Sequence, residues 1–296
     1  MSSENESKGS NFYKYTTIGL AAIILVCGGY LFFKNSSALT EKGKKSEAVY
    51  KKYMQQSTEA RLIANHIRKG GEEIQKNVRK DKSTVIEFDF RKLLNIVATY
   101  QGNAATADVG LDFRDVDSDL IDYIMKSRQI DLGLKKIYDD FASFGQKNTE
   151  DLSALTNKQN LLAEREEQAL LNKFKSVYGI TLNSSSWFKQ ESEKTLTSAG
   201  NEFISKLNPA NVTSQLIGKN FINHSNGTKW MLGPAEYVSG QFLNKTGKNG
   251  VVLISLSIEV KNPKNNNTGL LKAVVIYVKP TDETSLEWPL VFYSPI

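Results

Sequence analysis

Two residue types that build compact functional sites are nearly missing from this chain. It has one cysteine, Cys27, and two histidines, His66 and His224. A single thiol excludes an intrachain disulfide. Two imidazoles without a second thiol cannot assemble a zinc site of the usual nitrogen and sulfur ligands. Proline is scarce as well: there are six, and none precedes Pro209. Proline inside a helix costs about 3 kcal/mol, so a long proline-free stretch is open to helices. No glycine spacing suits a phosphate-cradling loop, and there is neither a Gly-x-Ser-x-Gly elbow nor a kinase signature.

What is present is an uncharged run from Thr16 to Phe33, flanked by Lys14 and Lys34 and by Tyr13, Tyr15, Tyr30, Phe32 and Phe33. Such a helix rises about 27 Å, close to the thickness of a thin bilayer. The expectation is a short tail (1–15), a transmembrane helix (16–33) and a water-soluble remainder, with the lipid bilayer as partner along Thr16 to Phe33. The competing reading is a cleaved signal ending near Ser36 to Ala38. A short leading tail favours an N-terminus in the cytoplasm and an extracytoplasmic, periplasmic domain on a bacterial inner membrane. The lysines from Lys34 to Lys52 oppose that orientation under the positive-inside rule.

The remainder divides at residue 182. Residues 34–181 read as a helical domain. Its first helix is expected from Thr40 to Arg79, with Ala60, Ile63, Ile67, Ile74 and Val78 on one face and a bend or break at Gly70-Gly71. A second covers Ser83 to Gly102. A third starts at Asp117 or Ser118, which can cap it. A fourth starts near Thr149 and carries Leu155, Leu162 and Ala169 at heptad spacing. Helices of this length pack as a bundle or hairpin stack.

Residues 182–296 read as an α+β domain: a helix from Ser185 to Leu207, then four strands. These are Ala235 to Leu243, Val251 to Val260 with strict alternation, Leu270 to Lys279, and Leu286 to Tyr293, whose Pro289 suits an edge. Short turns between them imply a four-stranded antiparallel meander. This order resembles the NTF2-like fold, with Trp288 to Tyr293 where that family closes its sheet. A ferredoxin-like sheet fits nearly as well. The resemblance implies a pocket on the sheet, and Trp230, Tyr237, Phe242 and Tyr277 are its candidate lining.

The segment Asp112 to Asp119 imitates a calcium loop through Asp115, Asp117 and Asp119. Leu120 stands where that loop needs glycine and Lys126 where it needs glutamate, so capping explains the carboxylates better. Glu164, Glu166 and Glu167 read as a charged helix face. No catalytic, cofactor-binding or metal residues are assigned, and no cofactor is expected. The net charge of +6 comes without a basic motif interleaved with aromatics, so nucleic acid is not an expected partner.

The function expected is a non-enzymatic, membrane-anchored envelope protein, working through protein–protein contacts as an assembly, scaffold or secretion-associated component. The layout is similar to assembly proteins of secretion systems and pili. Other envelope proteins are the expected partners, and a homo-oligomer is compatible with this reading. The alternative is an extracytoplasmic ligand-binding module with an NTF2-like pocket.

Overall fold

The computed structural model describes residues 39–72, 90–145, 148–218, 220–222, 229–261, 265–278 and 291–293. Helix α1 occupies 39–72. It is followed by α2 (Phe90–Ala105), α3 (Ser118–Phe144), α4 (Thr149–Leu161), α5 (Gln168–Lys173), α6 (Ser185–Lys206) and α7 (Pro209–Ser214). The strands are β1 (Asn220–Ile222), β2 (Lys229–Met231), β3 (Tyr237–Lys248), β4 (Val251–Lys261), β5 (Thr268–Val278) and β6 (Val291–Tyr293). The chain is therefore helical with a C-terminal antiparallel sheet, an α+β arrangement.

The membrane-spanning part of the expected fold is corrected. Thr16 to Phe33 lies outside the described residues, and among the described residues no helix is long and apolar enough to cross a membrane. The reason is amphipathicity. Helix α1 buries Tyr50, Tyr53, Met54 and Ile63, yet it exposes Lys51, Lys52 and Gln55 on its outer face. Such a charged face fits water, and lipid would strand it. The single-pass inner-membrane placement, and the envelope, periplasmic, secretion and pilus assignments that followed from it, are withdrawn.

Start signals act where the residue types predict. Asp117 caps α3, its carboxylate accepting from the N–H groups of Asp119 and Leu120. Asn148 caps α4, Ser184 caps α6, and Asn208 caps α7 ahead of its N-terminal proline. Helix α1 stays helical through Gly70-Gly71 as far as the described residues extend, and the expected continuation over Ile74, Val78 and Arg79 lies outside them. Between α4 and α5 the helix widens into a π turn, Leu162–Glu167, and a second follows at Phe174–Tyr178.

Strands β3 to β6 pair in sequence order, and β1 and β2 form a separate two-stranded ribbon. The β3–β4 hairpin closes on Asn249-Gly250, with φ of 53° and 74°. Both values are positive, the requirement of the tight turn that matches strand twist. Alternation along β4 divides the sheet's two faces. Val252, Ile254, Leu256 and Ile258 join Val275 and Tyr277 under α6 and α7, against Phe203, Leu207 and Val212. Val251, Ile276 and Val278 turn the other way, onto Ile63, Ile67, Leu93, Leu94 and Tyr138 of α1 to α3. One end of the sheet is thus covered on both faces, and the core runs across residue 182. Helix α6 reaches β3 through Gly200 and Gly247. A Cβ on Gly247 would sit 2.9 Å from the Gly200 carbonyl carbon.

Candidate functional site

Three of the four aromatic residues named from the sequence come together. Tyr277 is fully buried in the sheet's inner cluster, and Tyr237 and Phe242 pack partly buried against the same cluster. The Phe203 ring lies 5.0 Å from that of Tyr277, so α6 occupies the surface on which a sheet pocket would open. Trp230 pairs with Phe221 in the β1–β2 ribbon. His224 and Cys27 lie outside the described residues. His66 is half-buried on α1, its imidazole pKa lowered by burial and by Lys248 and Lys69.

Three of the four carboxylates of the acidic segment are held by cations, and Asp115 is exposed with Lys45 at 3.9 Å. Asp112 bonds Arg114 at 2.9 Å. Asp117 is held by Lys173 at 2.8 Å and by the Tyr178 hydroxyl at 2.6 Å, and Asp119 by the same Lys173 at 2.7 Å. Burial alone would raise the Asp117 carboxyl; the bonds from Lys173 and Tyr178 outweigh it and hold the pKa below the usual range. Beside that carboxylate the Tyr178 phenol is pushed up to about 12, by burial first and Asp117 second. Among the described residues no group of three or more histidine, cysteine, aspartate or glutamate side chains is placed to hold a metal ion.

The most unusual chemistry lies deeper, where α1, α3, the π turn and α6 meet. Asp131 is fully buried and accepts from Arg61 through Nε at 3.0 Å and Nη2 at 2.6 Å. The same Nη2 donates to Ser127 Oγ at 2.6 Å. Burial opposes the guanidinium charge, but the Asp131 carboxylate overrides it and raises the Arg61 pKa. A step away, Glu167 is buried at the end of the π turn, which corrects its place on a charged outer face. It accepts from Tyr50 at 3.1 Å and from the Ser185 hydroxyl at 2.6 Å, and also from the Ser185 N–H at the start of α6. Burial first, then the Glu167 charge, raises the Tyr50 phenol, which stays protonated.

Sequence reading passed over both pairs, although a signal existed. Ile124, Ser127, Asp131 and Leu134 recur at steps of three and four, so two polar residues interrupt an apolar stripe on α3. A polar residue on a core face needs a buried partner, and Arg61 supplies it.

Two openings flank the π turn. Outside it, a groove of about 480 Å³ runs between α3 and α4, with Ile130, Leu155, Leu161 and Leu162 along it and Lys126, Lys158 and Arg165 at its rim. Glu166 is the one carboxylate of its lining and bonds Lys126 at 2.7 Å. Inside it, a cavity of about 340 Å³ reaches Arg61, Tyr123 and Ser127. A third hollow, of about 440 Å³, lies between α1 and α6 beside Trp187.

No known protein family matches the chain, and no curated protein or solved structure is significantly similar to it.

Proposed function

We propose that this protein works without catalysis, as an assembly or scaffold component that binds other proteins, and that the groove between α3 and α4 is its docking surface. The occupant is an acidic, amphipathic segment of a partner protein. The groove's charge supports this: three cations and one carboxylate line it, and that carboxylate is already spent on Lys126. Lys158 and Arg165 form no ion pair with a described residue, which leaves two positive charges beside an apolar floor. Desolvated apolar anchors provide most of the affinity of such interfaces, while complementary charge at the rim steers encounter and selects the partner.

Helix α4 supports the same reading. None of its residues is buried, and Leu161 is 45% exposed next to the groove. A helix of this length gains little stability alone, and a partner over the groove would bury the face it leaves open.

The test is site-specific photo-crosslinking from position 161 of the full chain in its native cells. The expected product is a crosslink that maps to an acidic segment of one protein and disappears in a Lys158→Glu, Arg165→Glu variant. Crosslinks that survive the charge reversal, or that scatter over many proteins, overturn the proposal.

A further inference from the structure

We infer that the inner cavity, bounded by α1, α3, the end of α4, the π turn and α6, is a binding site for a small hydroxyl-rich compound carrying one negative charge, of the sugar-acid class. The inference goes beyond protein docking and rests on how the polar groups around this cavity are spent.

Its deep wall is polar and buried. Tyr123 and Ser127 are 4% and 3% exposed, and both line the cavity with Arg61. The Tyr123 hydroxyl meets only the Met54 thioether, at 3.9 Å, a poor acceptor for a phenol. Arg61 places Nε and Nη2 on Asp131, Ser127 and Tyr53, and its Nη1 makes no hydrogen bond to a described residue. The Arg61 side chain is 16% exposed and lines the cavity, so a ligand oxygen or a water can complete that donor.

The outer wall carries three amides, Asn65, Gln159 and Asn160, whose side chains form no hydrogen bond with a described residue. Amides and hydroxyls of this kind match hydroxyl groups, because each can donate and accept. Leu62 and Leu162 add apolar surface for the carbon skeleton.

Charge sets the remaining property. No carboxylate lines the cavity. Asp131 neutralises Arg61, and Lys189, at the rim on α6, pairs with no described residue. One uncompensated cation calls for one anionic group. The anion preference of the α6 N-terminus is not available for this purpose, since Glu167 already takes the Ser185 N–H and hydroxyl. A π turn supplies part of the wall, and π turns recur at functional sites.

The experiment is saturation-transfer NMR with titration on the full chain, using D-glucuronate, D-glucose and acetate as probes. Glucuronate is expected to bind with a Kd of about millimolar or tighter, glucose more weakly, and acetate not detectably. Lys189→Gln should weaken glucuronate by about threefold or more and leave glucose unchanged; Gln159→Ala should weaken both. A disaccharide ending in glucuronate separates the two sources of this chemistry. Tighter binding than glucuronate assigns the site to glycan ends, and equal or weaker binding assigns it to the free acid. Silence of glucuronate up to about 20 mM, or binding that Lys189→Gln and Gln159→Ala leave unaltered, overturns the inference.

Discussion

Replacing Asp131 by asparagine separates charge from shape at the centre of the helical core. The side chain keeps its volume, so no cavity forms, and one oxygen remains to accept from Arg61. What disappears is the negative charge opposite a guanidinium whose side chain is only 16% exposed, at a site where Asp131 itself is fully buried. Breaking a buried pair by removing one partner costs about 3–5 kcal/mol, because the surviving charge stays desolvated without compensation. The residual exposure of Arg61 places the expectation near the lower bound, about 3 kcal/mol. Arg61→Met should cost a similar amount by stranding Asp131.

The discriminating measurement is the double variant. Arg61→Met with Asp131→Leu removes both charges and fills the space with apolar atoms, an exchange that is commonly neutral for buried pairs. Urea unfolding followed by circular dichroism should place it within about 1 kcal/mol of wild type, far from the sum of the single losses. Glu202→Gln supplies a surface control. Glu202 pairs with Lys206 one turn along α6, with side chains 71% and 61% exposed, and its loss should not be measurable. Single variants at Asp131 and Arg61 that cost less than about 1 kcal/mol, or costs that simply add, would refute the buried-pair account.

Three further outcomes are expected. Gly250→Ala should destabilise by about 1–3 kcal/mol: the backbone there has a φ of 74°, and a Cβ would meet Ile63 Cγ1 at 3.0 Å, while Asn249→Gly should change the unfolding midpoint little. Asp117→Ala should remove the α3 cap and cost about 1–2 kcal/mol. Because the Asp117 carboxyl is held low in the folded chain, its contribution is present above about pH 4 and is lost as pH falls through the depressed folded value, so the variant should flatten the acid limb of a stability–pH curve. His66 acts with the opposite chemistry but in the same direction. Its folded pKa is lowered, so the unfolded chain takes up a proton near pH 6.5 before the folded chain does. Stability is therefore unaffected by His66 above that pH and falls below it; His66→Gln should remove this dependence from thermal melts taken between about pH 7 and 5.

Periodicity explains why much of the architecture could be read in advance. Apolar steps of three and four on α3, and strict alternation on β4, identify the faces that become buried. Ile124, Leu134, Ile254 and Leu256 all lie inside. The cap Asp117 marks a helix start because short polar side chains satisfy first-turn N–H groups wherever the helix packs. Other features were present in the residues but carried less weight. Asn249-Gly250 is a strong hairpin signal, and it places the strand end at Lys248, beyond the expected Leu243. Pro209 opens α7 as well as ending the preceding helix, in keeping with its suitability at a first helical position. Local pattern is silent about which two segments meet. Arg61 and Asp131 are seventy residues apart, and nothing along α1 by itself says that Arg61 turns inward.

The stretch Leu162 to Glu167 shows how a single irregularity can couple local geometry to the candidate sites. The buried positions there are Leu162, Glu167, Leu170 and Phe174, at steps of five, three and four. Five residues of regular α-helix turn through about 500°, which would put Leu162 and Glu167 on different faces. The π turn, closing its bonds one residue further along, accommodates the step of five and lets both point inward. Heptad spacing from Leu155 to Leu162 to Ala169 suggests instead an unbroken helix, which would carry Glu167 away from the core. With the wider turn, Glu167 reaches Tyr50 and the start of α6, joining three helices through one carboxylate. Before the turn, Leu152 and Leu155 of α4 pack against the core while only partly buried, and no residue of that helix is fully buried. The same residue, Leu162, then lines both the cationic groove outside and the polar cavity inside.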